Sequence, residues 1–219
     1  MSVLLLRLIA PMQSWGVQSR FEVRDTAREP SKSAVIGLIC AALGKPRQSD
    51  LTDLTSLRMG VRVDREGKIA MDYHIAQNVL KASGGMKNSQ PSHRYYLADA
   101  AFLVGLEGDH HTIKGIDQAF KQPHWQLFLG RKAFVPSQPI WLSNGLMQDK
   151  GLEQALNEFP LIISPRSNEK FYSLRTMIES KDGEVIRQDA PISFIKREFT
   201  IRKIHMDYIQ VPEKVLEEV

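Results

Sequence analysis

The sequence predicts an α+β fold made of a few apolar strands and two helices. Three observations support this: apolar runs of strand length, two segments with helical length and spacing, and a polar, glycine-rich stretch between two β-like runs. With 219 residues, 42% of them apolar, the chain can bury a substantial core. We expect one compact unit.

The first predicted strand and helix enclose a long loop. Residues 3–9 form a nearly continuous apolar run, typical of a strand buried on both faces, and Pro11 ends it because proline cannot donate to a sheet. Ser31 has the chemistry of an N-cap, and residues 34–43 are apolar around the whole circumference before Gly44. The pattern predicts a helix that is buried on all sides.

Two strand-like runs and a polar, glycine-containing segment follow. An apolar run at 54–63 and a β-like run at 69–79 precede KASGGMKNSQP, whose lysines and glycines are typical of a hairpin tip or mobile loop. Residues 97–106 predict a long strand. We therefore expect a β-hairpin from about 72 to 99 with a basic tip; a disordered surface insertion is the alternative.

A second helix and a fourth strand complete a recognisable order. Residues 112–121 have apolar side chains at helical spacing, and 139–142 is a candidate strand. The resulting order, βαββαβ, is that of a ferredoxin-like unit. Further β-like runs are expected at 161–163, 171–178, 184–187 and 193–204, followed by a polar tail at 205–219. The predicted division is a domain at 1–142 and a small β-rich region at 143–219.

Positive charge is concentrated at the start of the chain. The sequence has 29 Lys+Arg and 25 Asp+Glu, a net charge of +4, and residues 1–47 alone hold seven basic and three acidic residues. The loop at 11–30, which we call the arginine loop, spaces Arg20, Arg24 and Arg28 four apart. Guanidinium groups bind phosphate bidentately and stack on bases. We interpret the loop as RNA-facing. In the alternative, it is an ordinary solvated surface whose arginines pair with the acids Glu22, Asp25 and Glu29.

Two further positions suit a phosphate. Lys32 lies in the first turn of the predicted helix, where a cation opposes the helix dipole by about 0.3 to 1 kcal/mol unless an anion binds there. The second position is Gly130-Arg131-Lys132. Its glycine permits close approach of the backbone to a ligand, and its two adjacent cations suit a phosphate. Such turns are also common on protein surfaces.

Several classes of site are not expected. The single Cys40 lies in an apolar run and is expected to be a buried hydrophobe, and one cysteine allows no disulfide within the chain. The sequence has no CxxC, HExxH or Cys/His cluster, so neither a metal site nor a cofactor is expected. The N-terminal apolar run is interrupted by Arg7, and no apolar stretch approaches the roughly 20 residues that span a bilayer. A cytoplasmic protein without membrane contact is expected.

The segments together resemble a known family. LLLRLIAPMQSWG, the arginine loop, PSKSAVIGLICAALG, the DYH triplet at 72–74, LGRK and DAPISFIKREF occur in the order and approximate spacing of the Cas-five family. Within it, the resemblance is to the CasD subunits of the type I-E CRISPR surveillance complex, Cascade. It extends along the whole chain.

This resemblance implies a ferredoxin-like, RRM-related domain with a protruding thumb hairpin that grips the 5′ handle of the CRISPR RNA. It implies a CasC-type backbone subunit and a CasA-type large subunit as partners, target DNA reached through the assembled complex, and no catalytic residues. The RNA-binding residues it implies, with the cations of the hairpin, are Gln13, Trp15, Arg20, Arg24, Arg28, Ser31, Lys32, Ser33, His74, Lys87, Arg94, Gly130, Arg131 and Lys132. The LGRK turn has one glycine, fewer than the glycine-rich loops of RNA-cutting relatives.

Two other functions remain open from the sequence. A metal-independent endoribonuclease that processes precursor RNA, as in type I-C relatives, needs a base, a donor to the leaving oxygen and a cation. Tyr73, His74, Lys32 and His93 supply those residue types. The third possibility is an α/β domain whose basic loop docks on an acidic protein.

Overall fold

The computed structural model describes residues 1–17, 22–164 and 173–210. Its helices are α1 (Lys32–Leu43), α2 (Thr52–Thr55), α3 (His110–Lys121) and α4 (Leu152–Glu158). Its strands are β1 (Ser2–Ile9), β2 (Met12–Gln13), β3 (Val23–Arg24), β4 (Arg58–Arg65), β5 (Lys68–Leu80), β6 (Met86–Ala98), β7 (Ala101–Gly108), β8 (Trp141–Met147), β9 (Ser173–Glu179), β10 (Val185–Ser193) and β11 (Glu198–Gln210). The protein is a mixed α+β fold dominated by antiparallel sheet.

Seven strands form the main sheet, in the order β10-β11-β9-β4-β7-β1-β8. All of its strand pairs are antiparallel. The strands β9, β10 and β11 extend the sheet beyond β4, so the C-terminal strands share one sheet with the N-terminal ones.

Strand β1 lies within this sheet and is covered on both faces. Leu4 and Leu6 belong to the core cluster that includes the apolar faces of α1 and α3, whereas Val3 and Leu5 pack in a second cluster with α4. All four side chains have 0% exposure. Because successive strand residues point to opposite faces, an uninterrupted apolar sequence is required here. The prediction of a doubly buried strand is confirmed.

Helix α1 begins and ends as predicted. The Ser31 hydroxyl accepts a hydrogen bond from the Ala34 amide at 3.4 Å, and Gly44 ends the helix with φ of 70°. The prediction of burial on all sides is wrong for one face, where Ala34, Gly37 and Ala41 remain partly exposed.

Three other predictions need correction. The strand expected at 97–106 is two strands, because the chain turns at Asp99, which has φ of 59°. The polar tail expected from 205 is wrong for residues 205–210, which belong to β11, and its remainder lies outside the described residues. Helix α4 lies where only short strands were expected; it covers the second face of the sheet and buries Leu152, Ala155 and Leu156.

Strands β5 and β6 form a long antiparallel hairpin over Lys68–Ala98, slightly longer than the predicted 72–99. One face carries the half-exposed Ile69, Met71, Tyr73 and Ile75, at 47 to 55% exposure. Asp72 and Arg94 are cross-strand neighbours on the other face. The short strands β2 and β3 pair with β6 along its second edge.

Within the described ranges, no helix is long and apolar enough to cross a bilayer.

Candidate RNA-binding site

The arginine loop is fastened to the hairpin. Strand β3 runs parallel to β6, with Arg24 in register with Arg94, so both side chains project from the same face. The Glu22 carbonyl accepts a hydrogen bond from the His93 amide at 2.7 Å, and its carboxylate accepts one from Gln90 at 2.8 Å. Lys87 donates to the same Gln90 at 2.7 Å. The end of the loop and the hairpin therefore form one surface.

The other end of the loop is anchored in the core. Trp15 has 0% exposure, and its ring meets Phe102 edge-on at 6.4 Å between centroids. Its carbonyl accepts a hydrogen bond from the Ala27 amide at 2.8 Å, and its amide donates to the Thr26 hydroxyl at 3.0 Å. The expected RNA contact by Trp15 is corrected to a structural role, because no face of the ring is open to a base.

Gln13 also faces inward. Its side-chain amide donates to the carbonyl of Ala100 at 2.7 Å and to that of Leu8 at 3.3 Å, with 0% exposure. These bonds tie β2 to β1 and to the link between β6 and β7. Gln13 therefore stabilises the start of the loop through buried hydrogen bonds. Its side chain is not available to RNA in this conformation, which corrects the expected RNA contact.

Three guanidinium groups converge at the base of the hairpin: Arg24 from β3, Arg94 from β6 and Arg131 from the turn after α3. We call them the arginine cluster. Burial lowers the pKa of Arg131 from its ordinary value, the charges of Arg94 and Arg24 lower it further, and Asp72 raises it. Arg24 and Arg94 are therefore each close enough to Arg131 for their charges to act on it. One carboxylate against three cations leaves a local positive excess.

Arg131 is held in place by its turn. Gly130 has φ of 96°, and a Cβ there would lie 1.9 Å from the Ser14 carbonyl oxygen, so only glycine fits this approach. Arg131 donates to the Tyr95 carbonyl at 2.7 Å and lies 5.3 Å from the centre of the Phe134 ring. The turn thus packs directly against β6, while Lys132 next to it is exposed.

The acidic residues of the loop do not neutralise its described arginines. Glu29 pairs with Arg187 at 3.0 Å and Arg175 at 3.4 Å, both far away in sequence. Neither Arg24 nor Arg28 forms an ion pair with a carboxylate in the part of the chain that the structure describes. The alternative of an internally paired loop is therefore not what the structure shows for these two residues.

Arg28 and Arg20 are not part of the arginine cluster as described. Arg28 is exposed and lines a separate depression of about 570 Å³ together with Ile69, whose side chain is on the hairpin face opposite Arg94. Arg20 lies outside the described residues.

Lys32 is buried, and the start of α1 is already occupied by carboxylates. Its ammonium lies 3.0 and 2.9 Å from the two carboxylate oxygens of Glu179, and its backbone amide donates to Asp189 at 2.8 Å. Burial lowers the pKa of Lys32, and the hydrogen bond to Glu179 offsets part of that effect. An anion does bind at this helix start, but it is Asp189 and not a phosphate, which corrects the prediction.

The neighbouring serines complete this helix start. Ser31 is 3% exposed and caps α1, and its hydroxyl lies 3.3 Å from that of Ser33. Both hydroxyls thus have partners within the protein, and the segment 31–33 has a structural function.

The residues considered for RNA cleavage are not brought together. Tyr73 and His93 form a tilted ring pair with centroids 5.3 Å apart on the apolar face of the hairpin. His74, next along β5, projects from the opposite face. Lys32 is engaged with Glu179 inside the protein. No catalytic arrangement is formed by these four residues in the described structure.

Sequence reasoning overlooked Asp72 and Tyr95. Asp72 is the carboxylate that faces the arginine cluster, and the Tyr95 carbonyl fixes Arg131. The alternation of β5 and β6 could have revealed Asp72, because a hairpin places it opposite Arg94 once the turn is known. The Tyr95 contact is made by the backbone and leaves no trace in the sequence.

Comparison with known proteins agrees with this architecture. The family model described as CRISPR-associated protein (Cas_Cas5) matches residues 3–211. The chain belongs to the CRISPR-associated Cas5 family. The Cascade subunit CasD of Escherichia coli strain K12 is 31% identical over 227 residues, covering 95% of this chain and 99% of that protein.

Two solved structures are similar over nearly the full length. One, described as the crystal structure of a Cas protein, has a TM-score of 0.79 and 38% identity, and the match covers 96% of this chain and 98% of the other. The second belongs to a CRISPR RNA-guided surveillance complex; its TM-score is 0.80 at 31% identity, with 96% and 91% covered. The similarity to the Cas5 family therefore includes both the main sheet and the hairpin regions of the chain.

Proposed function

We propose that this Cas5 family protein is a non-catalytic subunit of a Cascade-type surveillance complex, and that it binds and caps the 5′ handle of the CRISPR RNA. Its similarity to CasD and to a chain of an RNA-guided complex supports the assembly. The observation that supports the RNA site is the arginine cluster, in which Arg24, Arg94 and Arg131 converge without an ion-pair partner among the described carboxylates.

The cluster is suited to the phosphates of a bent RNA strand. Guanidinium groups bind phosphate through two parallel hydrogen bonds, and a partly buried guanidinium is already stripped of some water. The exposed Lys132 extends the positive surface along the turn, and Lys87 adds a cation farther out on β6. His74 projects from the same face as Arg94 and completes the proposed contact set on the hairpin. Arg28 provides a separate contact at the other face of the hairpin base.

The hairpin acts as a thumb in this proposal. The four strands β4, β7, β1 and β8, with α1 and α3 on one face, support the interpretation as a ferredoxin-like, RRM-related core. The thumb projects from this core between β4 and β7. The Tyr73 and His93 rings offer π-faces to splayed bases, and such stacking contributes about 1 to 3 kcal/mol per base.

The proposed partners follow from the same assembly. A CasC-type backbone subunit and a CasA-type large subunit adjoin this protein, and target DNA is recognised by base pairing with the guide RNA in the assembled complex.

RNA binding and cleavage can be measured in one experiment. The protein is incubated with labelled repeat RNA and no metal, over a series of salt concentrations. We expect intact RNA and salt-dependent binding; removing one phosphate contact reduces the slope of log K against log salt by about 0.7.

The variants Arg24→Ala, Arg94→Ala and Arg131→Ala should each lower both the affinity and the salt slope. Lys114→Ala, which removes an exposed charge on α3, is the matched control and should bind as the wild type does. Equal losses in the control and the cluster variants would contradict a localised site. Site-specific cleavage of the RNA would contradict the non-catalytic assignment.

A further inference from the structure

A groove of about 700 Å³ lies along the outer side of α1. Its floor is the incompletely covered face of α1, including Gly37. One wall is the segment 125–128, and the other includes Phe194 from the turn between β10 and β11. One end of the groove reaches Gly130, so the groove adjoins the arginine cluster but is lined by a different set of side chains.

The groove is mainly apolar. Leu38, Leu127, Phe128 and Phe194 line it, and Trp125 adds an indole ring that is 45% exposed. A concave and mainly apolar surface is typical of a site that binds another molecule.

The charge at the groove is of one sign. Lys45 and Arg47 line it, and no carboxylate from the described part of the chain does. Neither cation forms an ion pair within the described ranges. An occupant with carboxylates near these two residues would therefore be complementary in charge as well as in polarity.

The lining favours a protein over a nucleobase. Recognition of an unstacked base requires donors and acceptors for its edges. Among the uncharged side chains that line this groove, only the Gln126 amide can both donate and accept, and the Trp125 indole can only donate. Most of the lining is aliphatic or aromatic carbon. The volume accommodates several apolar side chains at once, as when an amphipathic helix lies in a groove.

We infer that this groove binds an amphipathic segment of a partner protein, apolar on its buried face and bearing carboxylates where it meets Lys45 and Arg47. The choice of proteins for the test rests on the proposed function, which supplies the large and backbone subunits as candidate partners. The groove is a protein-docking site beside the RNA site, and the two can be separated by substitution.

Gly37 allows the groove to be filled without disturbing the fold. A Cβ at Gly37 would have no neighbour within 4 Å, and glycine is a poor helix residue, so Gly37→Leu should preserve the helix while occupying the floor. Gly115→Leu on α3 is the matched control, because Gly115 is also helical and has no neighbour within 4 Å. The double variant K45E/R47E reverses the charge at the groove.

The purified chain is titrated separately with the large subunit and the backbone subunit of the same organism's complex, and with repeat RNA. We expect Gly37→Leu and K45E/R47E to weaken binding to one of the two subunits by about tenfold or more, as loss of a central contact does. The Gly115→Leu control should match the wild type. Gly37→Leu changes no charge and leaves the arginine cluster untouched, so it should bind RNA as the wild type does. Thermal melting checks that all the variants are folded.

The outcomes separate the two proposals. Undiminished binding of both subunits by Gly37→Leu would overturn the docking site. Weakened RNA binding with intact subunit binding would overturn it too and assign the groove to a nucleobase. A wild-type chain that binds RNA but neither subunit overturns the docking site alone, whereas one that binds none of the three also overturns the proposed function.

Discussion

Replacing Lys32 with methionine tests whether the charge of Lys32 stabilises the fold or contacts RNA. The Lys32 side chain is 3% exposed, and its ammonium lies 2.9 Å from Glu179, whose side chain is 23% exposed. Removing one partner of a buried pair costs about 3 to 5 kcal/mol, because the other charge stays buried. Glu179 keeps a hydrogen bond from the Met59 amide at 3.3 Å and has Arg202 at 3.9 Å. We therefore expect the lower end of that range, about 3 kcal/mol.

The loss is measured as a shift in the urea midpoint at constant slope, or as a decrease in Tm of about 6 to 12 °C for a chain of this size. Adding Glu179→Gln to Lys32→Met removes the unpaired charge and retains the acceptor for the Met59 amide. The double variant should therefore be more stable than the sum of the single losses predicts.

Repeat RNA provides the second half of the test. The affinity of Lys32→Met should equal that of the wild type under conditions where both are folded, whereas Arg24→Ala should lose affinity with little change in stability. A Lys32→Met protein with a wild-type midpoint and tenfold weaker RNA binding would refute the ion-pair reasoning. It would instead place a phosphate at the start of α1.

Three other predictions concern the core, the turn and the acid response. Arg62 is fully buried and donates to Asp64 and to the carbonyls of Leu156, Phe159 and Pro160. Arg62→Met should therefore lower the free energy of unfolding, measured in urea, by about 3 to 5 kcal/mol. Arg58→Met, at a more exposed ion pair, should lower it by about 1 kcal/mol. Equal losses would contradict this ranking. Gly130→Ala should weaken RNA binding and lower Tm because its methyl group would meet the Ser14 carbonyl, whereas Gly84→Ala, at a similar positive φ but without neighbours, should affect RNA binding little. Hydrogen bonds from the Met206 and Glu184 amides and from His205 lower the pKa of Glu184 to about 2. The contribution of Glu184 to folding stability is therefore present above its unfolded pKa near 4.5 and is lost as the pH falls towards 2. Glu184→Gln should flatten the stability profile in that window, and an unchanged profile would contradict the assignment.

Local sequence patterns predicted local structure well. Ser31 and Gly44 delimit α1 because a hydroxyl cap and a left-handed glycine act within a few residues of the helix. The apolar run of β1 likewise predicted its burial on both faces. The boundary at Asp99 was missed because a sharp reversal between two β-like runs needs only one residue with positive φ, here neither glycine nor asparagine.

The site was harder to predict because its contacts connect distant parts of the chain. Glu29 pairs with Arg175 and Arg187, 146 and 158 residues away, and not with the neighbouring arginines. This leaves Arg24 available to join Arg94 and Arg131. Charge spacing within the loop predicted a basic surface formed by three arginines, of which only Arg24 is described in the arginine cluster. The spacing could not show which residues tertiary contacts neutralise.

The apolar sequence around the whole of α1 bears on how this protein binds a partner. A helix that is apolar on every side is normally buried on every side. In this chain the sheet and α3 cover only part of α1, and Gly37 remains at the floor of a groove with Lys45 and Arg47 among its lining residues. The apolar pattern therefore specifies more burial than the single chain provides. A partner segment in the groove would supply the missing contact, and its apolar face would distinguish it from the RNA that is proposed to bind the arginine cluster.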